Sequence, residues 1–505
     1  MKTQIETSWT DGYGCYSGGL YFNFLLLAVI LNQNGEGIYS MSNKLTGWAH
    51  QLDKLYEYDR VPVSESQLHP ARKFIGLFAG EHIAATEFVI GAMFVIHGVS
   101  AKDLIFGLLL GNLMAVLSWA FIAAPIAVRT RLTLYWYLRK IGGPGLSYIY
   151  NVANAILYCI LAGAMIAVSA TAVGLAFDIP TPALTDIYPN SVSWVIITLF
   201  VGSVVTVFAI LGFDQVSRFS TVSAPWMFVI FIAGAIALLP GIGAINSMAD
   251  LWKVAGTKIW NGIPTVGQEK YGFWHIAFFA WFANLAMHVG LSDMAMFRYA
   301  KNWKYGFISA FGMFPGHFLA WIASGIMVAA VNREMNPGMM AYTAAGLAGA
   351  VAVVIAGWTT ANPTMYRAGL ALQTATPNWA RWKVTAVAGT ITTVVAIFPM
   401  VFLRLLDFVA LYGLILMPIG AVVFAEHWIL PRLNISKYRA ETYKRFLNWQ
   451  ALLTWVLSLV IVFLLPIHIF FKWLPGYFIA QVLYISLIFV TDRKVNKGQK
   501  EKHNL

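Results

Sequence analysis

Long apolar stretches alternate with short polar segments along the chain from about residue 71 onward. A helix needs about 20 apolar residues to cross the hydrocarbon core of a membrane, and a window of that size predicts twelve spans. We number them in chain order, near 73–98, 104–128, 145–177, 192–213, 219–245, 272–297, 304–331, 341–373, 384–403, 405–430, 446–471 and 474–491. The segments between them are too short for a soluble domain, so the pattern predicts an all-α polytopic membrane protein.

Three of the predicted spans contain polar residues or glycines where a spanning helix is normally apolar. They are GEHIAATEF at 80–88 in span 1, WFANLAMHVGLSDMAMF at 281–297 in span 6 and AGWTTANPTMYRAGL at 356–370 in span 8. Such interruptions persist in a membrane only where they line a cavity or are buried in protein. Spans 1 and 6 correspond if the first ten spans are two repeats of five, and in inverted-repeat transporters such a pair marks the binding site. We therefore predict a five-plus-five inverted repeat with discontinuous helices 1 and 6 and two extra C-terminal helices.

The spans and the basic residues together predict an organisation for the whole chain. Lys and Arg concentrate in the segments on one side, and the positive-inside rule makes that side cytoplasmic, with both termini. We expect a multi-pass protein of the inner (plasma) membrane. The expected parts are an N-terminal cytoplasmic segment at 1–70, a first five-helix repeat at 71–245, a second at 246–430, two additional helices at 446–491 and a cytoplasmic tail at 492–505.

The N-terminal segment contains an apolar run, GLYFNFLLLAVIL at 19–31, that is too short to span a membrane. It lacks a basic n-region and a small-residue cleavage site, so it is a poor signal peptide. The GEG at 35–37 requires a purine-rich codon run like a ribosome-binding site, and Met41 follows closely. We expect that translation starts at Met41 and that residues 1–40 are not translated; the alternative is an extra interfacial helix.

The composition agrees with a membrane protein and argues against other classes. The chain is 59% hydrophobic and 11% charged, whereas a soluble domain carries about 25% charged residues. Its net charge of +12 is spread over short segments and builds no continuous basic face, so nucleic acid is not expected as a partner. Cys15 and Cys159 form neither a disulfide framework nor a CxxC pair. We expect no cofactor and no obligatory protein partner, only the lipid bilayer, a small solute and a coupling ion.

The WTTANP segment of span 8 has the chemistry of a sodium site. The hydroxyls of Thr359 and Thr360 can lean toward one ion, and Pro363 removes a backbone donor and so frees the carbonyl of Thr359. Uncharged hard oxygens suit Na⁺. The alternative is that both hydroxyls bond to carbonyls of their own helix one turn back.

Four motifs of the chain resemble those of the bacterial nucleobase:cation symporter family, also called the purine-cytosine permease family, and are most similar to the cytosine permeases. They are ARK at 71–73, SDMAMFRYAKNWK at 292–304, GWTTANPTMYRAGL at 357–370 and MPIGAVVFAEHWILPR at 417–432, and the likeness extends over roughly residues 71–495. The resemblance implies the inverted-repeat fold. It also implies a secondary active transporter that imports a nucleobase or related planar heterocycle, of the cytosine, purine, hydantoin or allantoin class, with a cation by alternating access.

The resemblance also implies positions for the coupling ion. In this family backbone carbonyls where helix 1 unwinds and two hydroxyl residues of helix 8 hold sodium. The matching positions here are Ala84, Glu87, Thr359 and Thr360. Sodium is therefore the expected coupling ion, with a proton as the alternative.

The substrate positions implied by the resemblance lie on spans 3, 6 and 8. Tyr158 matches the stacking aromatic of helix 3, with Asn154 one turn earlier as the amide that reads the base edge. The departures from the family pattern favour a planar, base-like solute over cytosine itself, because a pocket that reads polar edges rejects analogues that leave its groups unpaired. On span 6 Asn284 stands where an aromatic is expected, with Trp281 and Phe282 nearby, and on span 8 Ala361 replaces an asparagine and is followed by Asn362.

Glu87 is the charged residue with the clearest functional interpretation, because a carboxylate within a span is a functional candidate by default. It could neutralise the cation, carry a coupled proton or bind a substrate N–H; the alternative is a structural Glu. Glu81 is expected to have a structural partner such as His82 or a residue of another span. His288, one turn after Asn284, could contact substrate or a proton, or could be a packing histidine.

Two further charged residues and two other classes of function complete the predictions. Asp293 is expected to pair with the basic cluster of Arg298, Lys301 and Lys304, and Arg367 to lie near the cytoplasmic mouth. A symporter of the same fold for an amino acid or ammonium compound, held by Glu87, is the alternative cargo. An intramembrane metal-dependent enzyme would use Glu81, His82, Glu87 and His288. EHIAATE lacks the HExxH spacing that such an enzyme needs, so the chain is not expected to be an enzyme.

Overall fold

The computed structural model describes residues 57–182, 186–331, 337–403 and 405–503. Over these residues the chain is almost entirely helical, with two isolated β-bridges and no strand. The all-α class is therefore confirmed. The predictions for Met41, residues 1–40 and Cys15 lie outside the described residues.

Helices occupy all twelve of the predicted spans. Eight helices are long and apolar enough to cross a membrane: Ala101–Thr130, Leu134–Ala176, Val192–Leu211, Phe213–Gly241, Trp303–Val331, Ala345–Leu372, Phe408–Arg432 and Ile469–Thr491. Shorter helices lie at the other predicted spans: Ala71–Glu81 and Glu87–Ile96, Phe273–Phe282 with Leu285–His288 and Met294–Phe297, Arg381–Ala396 with Met400–Leu403, and Trp449–Leu464. Connecting helices are Glu65–Gln67, Met248–Val254 and Arg439–Thr442. The membrane-spanning character is thus supported, and the count of twelve crossings stays a prediction.

The helix Leu134–Ala176 is longer than one membrane crossing requires. It consists of two helices that meet at Gly143. Gly143 has a φ of 78°, in the left-handed region that favours glycine, and Pro144 follows it. A Cβ at position 143 would come within 2.5 Å of the carbonyl oxygen of Phe446. Span 3 therefore begins after this kink, close to the predicted residue 145.

The spans pack as two groups with the remaining helices around them. Spans 1, 2, 6 and 7 pack against one another, and so do spans 3, 4, 8 and 9. Span 5 contacts spans 1, 4, 7 and 8 and therefore touches both groups, while span 10 packs against spans 3, 6, 11 and 12. Each group thus takes two spans from each predicted repeat.

A buried carboxylate ties the end of span 10 to the final helices. Glu426 accepts a hydrogen bond from the hydroxyl of Tyr484 at 2.6 Å and another from the backbone N–H of Tyr438 at 2.7 Å. A buried carboxylate that lacked such donors would be strongly destabilising. The acidic residue in the last of the four family-like motifs therefore has a structural role here.

Candidate functional site

Span 1 is broken between Glu81, where its first helix ends, and Glu87, where its second helix begins. The hydroxyl of Thr360 on span 8 donates a hydrogen bond to the carbonyl oxygen of Glu81 at 3.1 Å. The carbonyls at the C-terminus of a helix carry partial negative charge. The break therefore presents oxygen atoms to span 8, as a cation site requires.

Span 6 is broken twice within the polar segment. The helix Phe273–Phe282 ends just before Asn284, which has a φ of 63°, and Leu291 has a φ of 66°. Left-handed backbone is unfavourable for residues other than glycine and is often found at functional sites. The predicted discontinuities of helices 1 and 6 are both confirmed.

The two breaks line one cavity that spans 3, 7, 8 and 10 complete. The cavity offers about 80 Å³ to the centres of water-sized molecules, several times the roughly 10–15 Å³ that one water requires. Its polar lining residues include Glu81, Thr86, Glu87, Asn284, His317 and Thr360, and its larger apolar ones include Leu161, Met165, Phe279, Phe282 and Trp321. A mostly apolar wall with a few polar groups is typical of a small-molecule site.

A network of three buried charged residues lies beside this cavity. The guanidinium of Arg367 contacts both oxygens of Glu81, with Nη1 2.5 Å from Oε1 and Nη2 3.1 Å from Oε2. The Nη2 of Arg367 also lies 2.5 Å from Oδ1 of Asp293, whose Oδ2 accepts a hydrogen bond from the indole of Trp119 at 2.6 Å. We call Glu81, Arg367 and Asp293 the charged triad. It joins the broken spans 1 and 6 to span 8.

Glu87 lies in the cavity wall and is held by span 7. The indole N–H of Trp321 donates a hydrogen bond to its Oε2, and the hydroxyl of Thr86 donates one to Oε1 at 3.1 Å. The Nε2 of His317 lies 3.8 Å from Oε1, and the His317 ring stacks on that of Trp321 at 4.4 Å. The backbone carbonyl of Glu87 accepts a hydrogen bond from Ser324 at 2.7 Å.

Three of the four predicted ion-site residues line the cavity: Ala84, Glu87 and Thr360. Thr359 is buried and outside the lining, and its hydroxyl donates to the carbonyl of Ala356 at 3.0 Å. The hydroxyl of Thr360 also lies 3.3 Å from that carbonyl, so both threonines make the within-helix bonds of the alternative interpretation. Thr360 alone of the two also reaches span 1.

Of the predicted substrate residues, Phe282, Asn284 and Glu87 line the cavity. Trp281 instead donates its indole N–H to Ser118 at 2.9 Å and packs against Trp473. The ring of His288 lies 4.7 Å from that of Trp119. The structure therefore brings together only part of the predicted span 6 set.

On spans 3 and 8 the predicted substrate residues are buried next to the cavity rather than in its lining. They are Asn154, Tyr158, Ala361 and Asn362. The ring of Tyr158 packs edge-on against Tyr412, which does line the cavity, with ring centres 5.4 Å apart. The side-chain amides of Asn154 and Asn362 have no hydrogen-bond partner among the described residues. Span 3 reaches the cavity with Leu161 and Met165, one to two turns further along.

One prediction about charge pairing was wrong. Asp293 does not pair with Arg298, because it faces Arg367 and Trp119. Arg298 instead donates to the backbone carbonyl of Tyr58 at 2.5 Å and to the hydroxyl of Tyr366 at 3.0 Å. Arg367 pairs with Glu81, and its expected place near the cytoplasmic mouth stays a prediction.

Three residues of the cavity wall were not predicted from the sequence: His317, Trp321 and Tyr412. A histidine inside a span is itself a functional signal, and the segment PGHFLAW at 315–321 carries one. Tyr412 and Trp321 gave no such signal, because aromatic residues are common throughout the apolar spans. Within the described part of the chain no group of three or more His, Cys, Asp or Glu side chains is placed to hold a metal ion.

The chain is similar in structure to several solved membrane transporters. No protein-family profile matches the chain, and no curated protein sequence matches it either. The solved structure of Mhp1, a nucleobase-cation-symport-1 family transporter in a closed conformation with bromovinylhydantoin bound, superposes with a TM-score of 0.67. The fold is shared with Mhp1. The identity is 18%, over 87% of this chain and 97% of that one.

Two further structures support the same fold. The inward-facing conformation of Mhp1 gives a TM-score of 0.66 at 17% identity, over 87% of this chain and 96% of that one. A Na⁺-coupled sialic acid symporter in a substrate-bound outward-open state gives 0.61 at 11% identity, over 87% and 95%. Similar folds at such identities serve transporters of different solutes, so the solute has to be argued from the site itself.

Proposed function

We propose that this protein is a secondary active transporter that imports a small solute together with a cation by alternating access. The observation that carries the proposal is the meeting of both helix breaks at one cavity, with the Thr360 hydroxyl bonded across to the Glu81 carbonyl. Broken helices supply carbonyls and N–H groups to substrate and ion at the centre of a membrane. The fold shared with Mhp1 and the sialic acid symporter supports this function.

The coupling cation is proposed to bind between the break of span 1 and span 8. The carbonyl groups of Ala84 and Glu87 and the hydroxyls of Thr359 and Thr360 are its proposed ligands. The hydrogen bond from Thr360 to the Glu81 carbonyl supports adding that carbonyl to the set. Sodium is the proposed ion, because neutral oxygen ligands suit it, and a proton is the alternative.

The solute is proposed to be a nucleobase or a related planar heterocycle, of the cytosine, purine, hydantoin or allantoin class. Phe279, Phe282 and Trp321 give the cavity aromatic walls against which a flat ring can pack. Glu87 and Asn284 supply an acceptor and an amide for its polar edge. We propose that the remaining predicted residues contact the solute in another conformation of the transporter. They are Asn154, Tyr158, Trp281, His288, Ala361 and Asn362.

A specific observation favours a second cargo. Glu87 places a carboxylate in the cavity wall, and a carboxylate can bind the ammonium group of an amino acid or amine. An amino acid or ammonium compound is therefore the second candidate for the same symport cycle.

Uptake into proteoliposomes tests the proposal. Labelled cytosine, uracil, hypoxanthine, allantoin, hydantoin and a mixture of amino acids are offered with an inward sodium gradient, with an inward proton gradient and with neither. We expect one planar base to accumulate above its external concentration when a cation gradient is present. Accumulation of an amino acid alone would select the second cargo, and no gradient-driven accumulation of any solute would contradict the transporter function.

A further inference from the structure

The charged triad contains one more acidic than basic group. Glu81, Asp293 and Arg367 are all buried, with exposures of 4%, 0% and 0%. Each of the four carboxylate oxygens has a donor, three from the guanidinium and one from the indole of Trp119. Because the indole is neutral, Arg367 alone supplies positive charge through these bonds. With both carboxylates ionised, the triad therefore carries an excess charge of −1.

A buried excess charge within a membrane is strongly unfavourable unless something neutralises it. The triad adjoins the cavity, because Glu81 is one of the lining residues together with Ala84 and Thr360. Glu81 is also the last residue of its helix, so the partial negative charge of the helix end adds to its carboxylate. The electrostatic field at this wall favours a cation.

The triad also connects the two groups of spans. Glu81 and Asp293 belong to spans 1 and 6 in one group, and Arg367 belongs to span 8 in the other. A relative tilt of the groups would lengthen or shorten these contacts. A cation in the cavity would change the net charge of the triad. It would thereby change how strongly the triad holds the two groups of spans together.

From these observations we propose that the charged triad is the charge-sensing part of the coupling site: one Na⁺ ion binds beside Glu81 because it neutralises the excess charge, and the neutralised triad holds the two groups of spans together. The inference rests on the proposed transport function and deepens it. The Na⁺ ion would lie in the cavity against Glu81 and Thr360.

Other titratable groups that face the triad share its charge balance. They come from spans 1, 3, 6 and 10 and from the helix that precedes span 3, and are His82, His288, Tyr158, Tyr412 and Tyr135. A protonated His82 or His288 would supply the missing positive charge in place of the coupled cation. Variants of these histidines are therefore needed beside those of the triad.

The test separates coupling from transport. Glu81→Gln and Asp293→Asn each remove the excess charge and leave Arg367 with one carboxylate. Labelled solute is followed in proteoliposomes in two ways: by accumulation driven by a sodium or proton gradient, and by exchange against internal unlabelled solute without a gradient. We expect each variant to lose at least nine-tenths of the gradient-driven accumulation and to lose a clearly smaller share of the exchange.

Thermal stability tests the binding of Na⁺ directly. We expect the wild-type protein in detergent to gain thermal stability with added NaCl over choline chloride, and the variants to need at least tenfold more NaCl for the same gain. Accumulation that follows a proton gradient, with no effect of sodium, would overturn the proposal. His82→Gln and His288→Gln are expected to keep the wild-type dependence on the cation.

A matched control makes the same chemical change away from the site. Glu441→Gln removes a carboxylate that is half exposed and pairs with Lys140 at 2.9 Å, and it is expected to keep both accumulation and its cation dependence. Full cation-coupled accumulation in Glu81→Gln and Asp293→Asn would overturn the proposal. A parallel loss of accumulation, exchange and folded protein in both would also overturn it, because it would assign the triad a structural role only. Failure of the wild type to transport any solute would instead contradict the proposed function.

Discussion

The hydroxyl of Thr360 lies 3.1 Å from the carbonyl oxygen of Glu81, and this hydrogen bond joins span 8 to the end of the first helix of span 1. Thr359, its neighbour, bonds within its own helix. The pair therefore offers an internal comparison, because two identical side chains side by side differ in whether they reach the break.

We expect Thr360→Ala to weaken the response to the coupling cation more than Thr359→Ala does. Loss of one oxygen ligand at the break should raise the half-saturating sodium concentration about tenfold, which corresponds to about 1.4 kcal/mol. Solute uptake at a series of sodium concentrations measures this change. Thr360→Ser keeps the hydroxyl and should stay near the wild type, whereas unchanged sodium dependence in Thr360→Ala would remove Thr360 from the ion site.

The register of span 3 gives a second prediction. Met165 lines the cavity, whereas Tyr158 packs behind Tyr412. Met165→Trp should narrow the cavity and lower solute binding at least tenfold, because a larger and more rigid side chain then stands in its wall. Binding of labelled solute to purified protein measures the effect.

Leu113→Trp is the control for this variant. The side chain of Leu113 on span 2 is 45% exposed, so a larger side chain at this position can extend outward without displacing its neighbours. We expect it to bind solute as the wild type does. Normal binding by Met165→Trp, together with a large loss in Tyr158→Ala, would place the solute two turns away, at the position that the family resemblance implies.

Close packing of span 7 against the break of span 1 gives a third prediction. A Cβ at Gly316 would lie 2.6 Å from the carbonyl oxygen of His82. Gly316→Ala should therefore destabilise the protein by roughly 1–3 kcal/mol, the usual range for an overpacked interior. The apparent Tm in detergent measures this loss. Gly256→Ala, where a Cβ meets nothing within 4 Å, should leave the Tm equal or slightly higher.

The hydrogen bond from Trp321 to Glu87 gives a fourth prediction. Trp321→Phe keeps an aromatic ring but removes the N–H that the buried carboxylate accepts. Leaving a buried acceptor without its donor should destabilise the protein by about 1–3 kcal/mol. The same substitution in a Glu87→Leu background should have a smaller effect, because the acceptor is then already absent. Thermal unfolding of all four proteins measures the coupling, and strictly additive effects would show that the contact contributes nothing.

The sequence was sufficient for the fold and for the places where helices break. Polar residues and glycines within the apolar spans 1 and 6 have no other stable position in a membrane, so their pattern carries the prediction. The partner of Asp293 could not be predicted from the sequence pattern. Arg298 is near it in the chain, but the fold brings Arg367 to it from another span, and only the packing of helices determines that approach.

The composition of the cavity wall was also only partly predictable. Phe282, Asn284 and Glu87 were found because they lie at or beside the breaks. His317 was missed because a single histidine in a continuous span has no partner in the local sequence. The register of span 3 was missed because Tyr158 and Met165 lie two turns apart on the same helix, and neither local propensity nor apolar periodicity distinguishes these levels.

The charged triad restricts which substitutions can accumulate at its three positions during evolution. Removal of one member of a buried ion pair while the other remains typically costs about 3–5 kcal/mol, a large part of the stability of most proteins. A lineage that loses Arg367 must therefore also change both Glu81 and Asp293, although the three positions come from separate parts of the gene. In related genomes these three codons are expected to be retained or replaced together.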